Sequence, residues 1–76
     1  MFTSAQCRAA RGLIDWSQQQ LADAAEVGVA TVRLFEAGIG EQRRSTLSVI
    51  RRALEAAGVE FTNGDQPGVR LRTPHR

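Results

Sequence analysis

Residues 17–38, SQQQLADAAEVGVATVRLFEAG, constrain the fold more than any other stretch. Ser17 is followed three residues later by Gln20. This is the pattern of a capping box, in which the hydroxyl accepts from the Gln20 amide and the Gln20 side chain reaches back. Leu21, Ala22 and Ala25 then fall on one helical face. The pattern breaks at Glu26-Val27-Gly28. It resumes with Val32 and Phe35 on one face and stops at Gly38, a residue suited to the left-handed turn that ends a helix. The spacing predicts helices over 18–25 and 29–37, joined by a turn of three or four residues.

The remaining chain adds two helices and a change of period. Thr3 and Gln6 form a second capping box, predicting a helix over about 4–13 with Cys7, Ala10 and Ile14 inward. Trp16 directly precedes the Ser17 cap, where a hydrophobic staple residue would pack onto Leu21. Leu47, Ile50 and Leu54, widened by Val49, Ala53 and Ala57, predict a helix over about 46–57, with Ser45 as N-cap and Gly58 as its end. Val59-Glu60-Phe61-Thr62 and Val69-Arg70-Leu71-Arg72 then alternate with period two around the turn-rich Asn63-Gly64-Asp65-Gln66-Pro67-Gly68. This reads as a β-hairpin with Val59, Phe61, Val69 and Leu71 on its apolar face. The fold class is therefore mainly α. A four-helix unit spans residues 1–58, a hairpin of the same domain spans 59–73, and a short tail, 74–76, is expected to fray.

Gln18, Leu21-Ala22, Ala25, Val27, Thr31-Val32 and Glu36-x-Gly38 stand where the xenobiotic-response-element (XRE) repressor family, which includes the lambdoid phage repressors, carries its helix-turn-helix motif. The resemblance covers roughly residues 3–57. Two positions depart from it: Glu26 stands where the family usually has Gly, and Gly28 where it usually has a Ser or Thr cap. Glu in a left-handed turn costs about 1–2 kcal/mol relative to Gly. Gly as a cap loses only a few tenths against Ser. The resemblance implies that Arg11 pairs with Glu36 largely out of water. It also implies that Gln18, Arg43 and Arg44 touch the DNA backbone. Val29, Ala30, Arg33 and Leu34 are the outward, base-reading positions of the third helix by both helical spacing and the family's pattern. Arg33 is the one side chain of these four able to make a bidentate contact to guanine.

Charge adds a tension. All ten basic residues are arginine. Residues 1–42 hold Arg8, Arg11 and Arg33 against Asp15, Asp23, Glu26, Glu36 and Glu41, a net −2, and residues 43–76 carry +4. Phosphate neutralisation supplies most non-specific DNA affinity, so the reading unit is less basic than such a unit should be. Val29, Ala30 and Leu34 also make its outward face apolar, and an exposed apolar patch marks protein interfaces too.

Other classes fall away. No apolar run is long enough to span a bilayer, no leader pattern is visible, and the lone Cys7 fits a reducing cytoplasm as a buried thiol. The one histidine, His75, lies in the tail and is not expected to bind metal. No nucleophile–base set, zinc cluster or phosphate loop stands out, so neither enzyme activity nor a cofactor is expected. Two readings remain. The first is a cytoplasmic transcriptional regulator, a small prokaryotic or phage-type repressor or an antitoxin. It would bind double-stranded DNA as a homodimer at an inverted repeat, with the hairpin residues Val59, Phe61, Val69 and Leu71 serving dimerisation. The second is a protein-interaction module such as an antiactivator, which keeps the fold and binds a protein partner through the apolar face of the third helix.

Overall fold

The computed structural model describes residues 2–72. Four helices, α1 (Ser4–Ile14), α2 (Gln18–Ala25), α3 (Val29–Ala37) and α4 (Arg44–Ala56), precede two strands, β1 (Val59–Thr62) and β2 (Gly68–Leu71). The expected fraying of the tail and the place of His75 lie outside the described residues.

Both capping boxes form. Thr3 Oγ1 accepts from Gln6 N–H at 3.0 Å, and Gln6 Oε1 accepts from Thr3 N–H at 2.9 Å. Ser17 and Gln20 repeat the exchange at 3.0 and 2.8 Å. Helix ends are equally regular. Asp15, Glu26 and Gly38 take left-handed conformations after α1, α2 and α3. The amides of Trp16, Val27 and Ile39 bond back to the carbonyls of Arg11, Ala22 and Leu34, each at 3.0 Å. That is the Schellman closure, and it reverses the chain within two residues of each helix. Glycine serves at only one of the three sites, so Asp15 and Glu26 carry the strain of a positive φ.

The start of α4 differs from expectation. Its N-cap is Arg43, not Ser45, and no side chain caps it. The Leu47 amide already bonds to the Arg43 carbonyl at 3.0 Å. Leu47 packs against the core, so burial sets the first turn and Ser45 lies inside it. Strand β2 likewise starts one residue early, at Gly68, opposite Thr62.

Cys7, Ala10, Leu21, Ala22, Ala25, Val32, Phe35, Ile50, Leu54 and Val59 form the buried core, with Trp16 packed at its margin. The apolar face of the hairpin completes it, since a lone two-stranded sheet buries too little to stand in water. Phe2 joins the layers: its ring centroid lies 5.4 Å from Phe35 of α3 and 5.1 Å from Phe61 of β1.

One polar side chain fastens the hairpin. Gln6 is buried, and its Nε2 donates to the carbonyls of Thr62 and Gly68 at 3.1 and 3.0 Å, and weakly to Asn63 Oδ1 at 3.4 Å. Thus the residue that closes the first capping box also holds both strands. Gln6→Leu should destabilise the domain by about 1–3 kcal/mol, because the cap and two carbonyl partners are lost together. Urea unfolding would show it. Amide exchange should rise most in 59–71.

Candidate nucleic-acid interface

The geometry of α2 and α3 rests on one buried carboxylate. Glu36 is 3% exposed, and Arg11 Nε and Nη2 donate to its Oε2 and Oε1, each at 2.6 Å. Arg11 keeps 20% of its side chain exposed, and its Nη1 donates to the Trp16 carbonyl at 2.9 Å. Gln18 Nε2 donates to Oε1 at 3.0 Å and Cys7 Sγ to Oε2 at 3.1 Å. Arg8 Nη1 donates to the Glu36 backbone carbonyl, near the end of α3 where a cation also suits the helix dipole. The cluster therefore joins α1, the start of α2 and the end of α3. Among the described residues no buried side-chain nitrogen or oxygen is left without a partner.

Protonation follows from this setting. Burial alone would push the Glu36 carboxyl up, but hydrogen bonds from Arg11, Gln18 and Cys7 outweigh it and hold the group below its ordinary value of 4.5. The bond to Glu36 raises Arg11 against the opposing effect of burial. Burial, and then the bond to Glu36, pushes the Cys7 thiol far up, so it stays protonated and serves as a donor.

The positions expected to face outward divide. Ala30, Arg33 and Leu34 are exposed, but Val29 is half-buried and packs on the core. As the first residue of α3, its side chain leans back over the turn. Leu34 is 43% exposed and Ile39, just past the helix, 57%. These are the two residues joined by the Schellman bond, a place where an apolar pair is common. Arg33 is in no ion pair among the described residues.

Arg43 and Arg44 are exposed. They are the cap and first residue of α4, beside amides that no side chain caps. Gln18 stands at the start of α2, but its amide nitrogen is directed to Glu36 rather than outward. The α3 N-terminus is also bare, with Gly28 offering no side-chain cap.

The hairpin residues expected to dimerise divide as well. Val59 is buried, Phe61 and Val69 pack on their own helices, and Leu71 remains 47% exposed. The first three are used within the chain because the helical unit leaves an apolar gap over α1 and α4.

Sequence reasoning missed Arg8, Cys7 and Gln6 as polar anchors. Cys7 and Arg11 lie four residues apart, on one helical face, which was the available signal for the first cluster. Nothing local signals that Gln6 reaches 56 residues along the chain to Thr62. Among the described residues no group of three His, Cys, Asp or Glu side chains could hold a metal ion, and no helix is long and apolar enough to cross a membrane.

The profile of the helix-turn-helix family matches residues 8–62, most of the chain. The protein belongs to that family, in its XRE and lambda-repressor-like branch, whose members are DNA-binding regulators. No curated protein matches the chain.

The pH dependence of Glu36 gives a direct check. A depressed carboxylate contributes stability that is complete above its unfolded value, near 4.5, and is lost as pH falls through the folded value. Glu36→Gln should cost about 3 kcal/mol at neutral pH, because Arg11 loses its charge partner. Its acid limb should be flatter than that of the wild type. Urea midpoints measured on both proteins across the acid range would test this, and parallel limbs would refute it.

Proposed function

We propose that this helix-turn-helix protein is a sequence-specific transcriptional regulator that binds an inverted repeat in DNA as a homodimer in the cytoplasm, with no catalytic activity of its own. The observation that carries the reading is the pair of bare helix N-termini. The α3 and α4 amides have no side-chain cap, while α1 and α2 are fully boxed. Two arginines at the positive end of a helix dipole repel it, and a bound phosphate removes the conflict. Arg43 and Arg44 would hold the DNA backbone there. Arg33 would contact a guanine from the major groove, with Ala30 and Leu34 against thymine methyls. Gln18 would act chiefly by orienting α2 through Glu36 and offer the backbone the amides of its own first turn.

This reading separates stability from affinity. Arg43→Asp should supply the missing cap and a charge that suits the dipole, stabilising the free protein by about 0.5–2 kcal/mol. The same change should weaken DNA binding for all sequences and make it less salt-dependent. Melting and a salt titration of binding on one preparation would check both. A variant that melts earlier would contradict the account.

Specificity is tested at Arg33. Arg33→Ala should cost about 1–3 kcal/mol at the preferred site and relax the choice of one base pair per half-site. Selection from randomised duplexes should enrich a palindrome with half-sites about one helical turn apart.

The exposure of Leu34 and Ile39 favours a second reading, an interaction module acting as an antiactivator through this end of α3. Under it the selection enriches nothing, and Leu34→Asp abolishes binding to a protein partner while leaving weak DNA binding unchanged.

A further inference from the structure

Two strands have two outer edges, and the hydrogen-bond register shows what each presents. The Arg72 amide donates to the Gly58 carbonyl at 2.7 Å, so these residues form a bonded pair. Bonded and non-bonded pairs alternate in an antiparallel ladder. Glu60–Arg70 and Thr62–Gly68 are therefore the other bonded pairs, and Val59–Leu71 and Phe61–Val69 are the non-bonded ones. The N–H and C=O groups of Val69 and Leu71 thus point away from β1, along the outer side of β2. Among the described residues their amides have no backbone or side-chain acceptor. Strand β1 runs directly out of α4 and packs beside it, with Val59 buried. Strand β2 packs along α1 and carries the half-exposed Leu71.

We propose that β2 pairs antiparallel with β2 of a second copy across a two-fold axis at Arg70, making a continuous four-stranded sheet. Val69 then bonds to Leu71 of the partner subunit, and Leu71 to Val69 of the partner subunit. This register pairs every outward-pointing group of the two residues. A two-fold centred on Val69 would set Leu71 opposite Pro67, which has no N–H to give. On the apolar face, Leu71 packs beside Val69 of the partner subunit, which covers the exposed part of the hairpin. On the other face, Arg70 meets Arg70 of the partner subunit. Each Arg70 is bridged to its own Glu60 at 2.7 Å, so the row of four charges is neutral and the central repulsion is weak.

A second copy fits this edge because the edge is complementary to itself, as an isologous interface must be. The hairpin packs on α1 and α4, while α3 packs on α1 and α2, so pairing leaves the outward side of α3 free. The inference deepens the proposed function, which needs a two-fold protein at an inverted repeat.

The test reads oligomeric state without DNA. Proline at position 71 removes an outward N–H and no bond inside the hairpin, so Leu71→Pro should keep the wild-type circular dichroism. Sedimentation should show the wild type as a dimer and the variant weakened by more than about tenfold. In the wild type itself, amide exchange at Val69 and Leu71 should slow as concentration rises. A wild type monomeric throughout the series, a Leu71→Pro dimer of unchanged strength, or exchange at these amides independent of concentration would overturn the pairing. A dimer that shows no DNA preference would instead sink the regulator reading and leave the pairing standing.

Discussion

The geometry between α1, α2 and α3 depends on the Glu36 carboxylate. It is buried, and burying a charge is unfavourable unless it is paired and hydrogen-bonded throughout. Donors from two other helices, Cys7 and Arg11 on α1 and Gln18 on α2, converge on its two oxygens. Each fixes a direction, which apolar packing does not do. The angle between α2 and α3 is what a reading head must preserve. A buried ion pair adds little net stability over a well-packed apolar pair, and its use here is better understood as orientation. Cys7 fits the same account: its thiol is held protonated by burial and completes the carboxylate's shell.

Much of this was legible in the sequence where the determinants are local. The capping boxes at Thr3/Gln6 and Ser17/Gln20 involve residues three apart, and both form as the spacing requires. The period change after Gly58 marks the hairpin, and the alternation puts Glu60 and Arg70 on one face, where the folded register sets them opposite each other. The Arg11–Glu36 pair was legible only through the resemblance, since 25 residues separate the two. What could not be read depends on distant surfaces. The start of α4 is decided by Leu47 entering the core and not by a capping residue. Val29 is outward on a helical projection but lies at the first position, over the turn. Gln6 looks like a cap residue, and only the folded hairpin shows that its other end is also engaged.

The hairpin solves a problem of size. A four-helix unit this short leaves an apolar surface over α1 and α4, and the strands cover it with Val59, Phe61 and Val69. Phe2 then bridges Phe61 and Phe35, so the hairpin is in packed contact with the inner face of α3 through a single ring. Arg51 stacks over Phe61, with its guanidinium carbon 5.3 Å from the ring centroid. The element that resembles an appendage is therefore part of the core. An event at the hairpin has a short, packed route to the helix that carries Arg33.

The four helix starts sort by what lies before them. In α1 and α2 the amides of the cap and of the third helical residue are engaged by a Gln and by a Thr or Ser. α3 and α4 begin with Gly28 and Arg43, which offer no side-chain cap, although the Gly28 carbonyl accepts from the Thr31 amide at 3.0 Å. A Ser at position 28 would meet no obstacle, since a Cβ there lies 4.0 Å from the nearest atom, Thr31 Oγ1. The backbone at Gly28, with φ of −70°, is also open to any residue. Sterics therefore do not explain the missing cap. Each bare start lowers the stability of its helix by roughly 1 kcal/mol against a Ser or Asp cap. In return the amides stay available to an anion from outside, which a capped helix start would have to exchange for its own oxygen. On the proposed reading, stability withheld at these helix starts is affinity held in reserve, and at α4 the exposed Arg43 and Arg44 stand beside the amides that would take a phosphate.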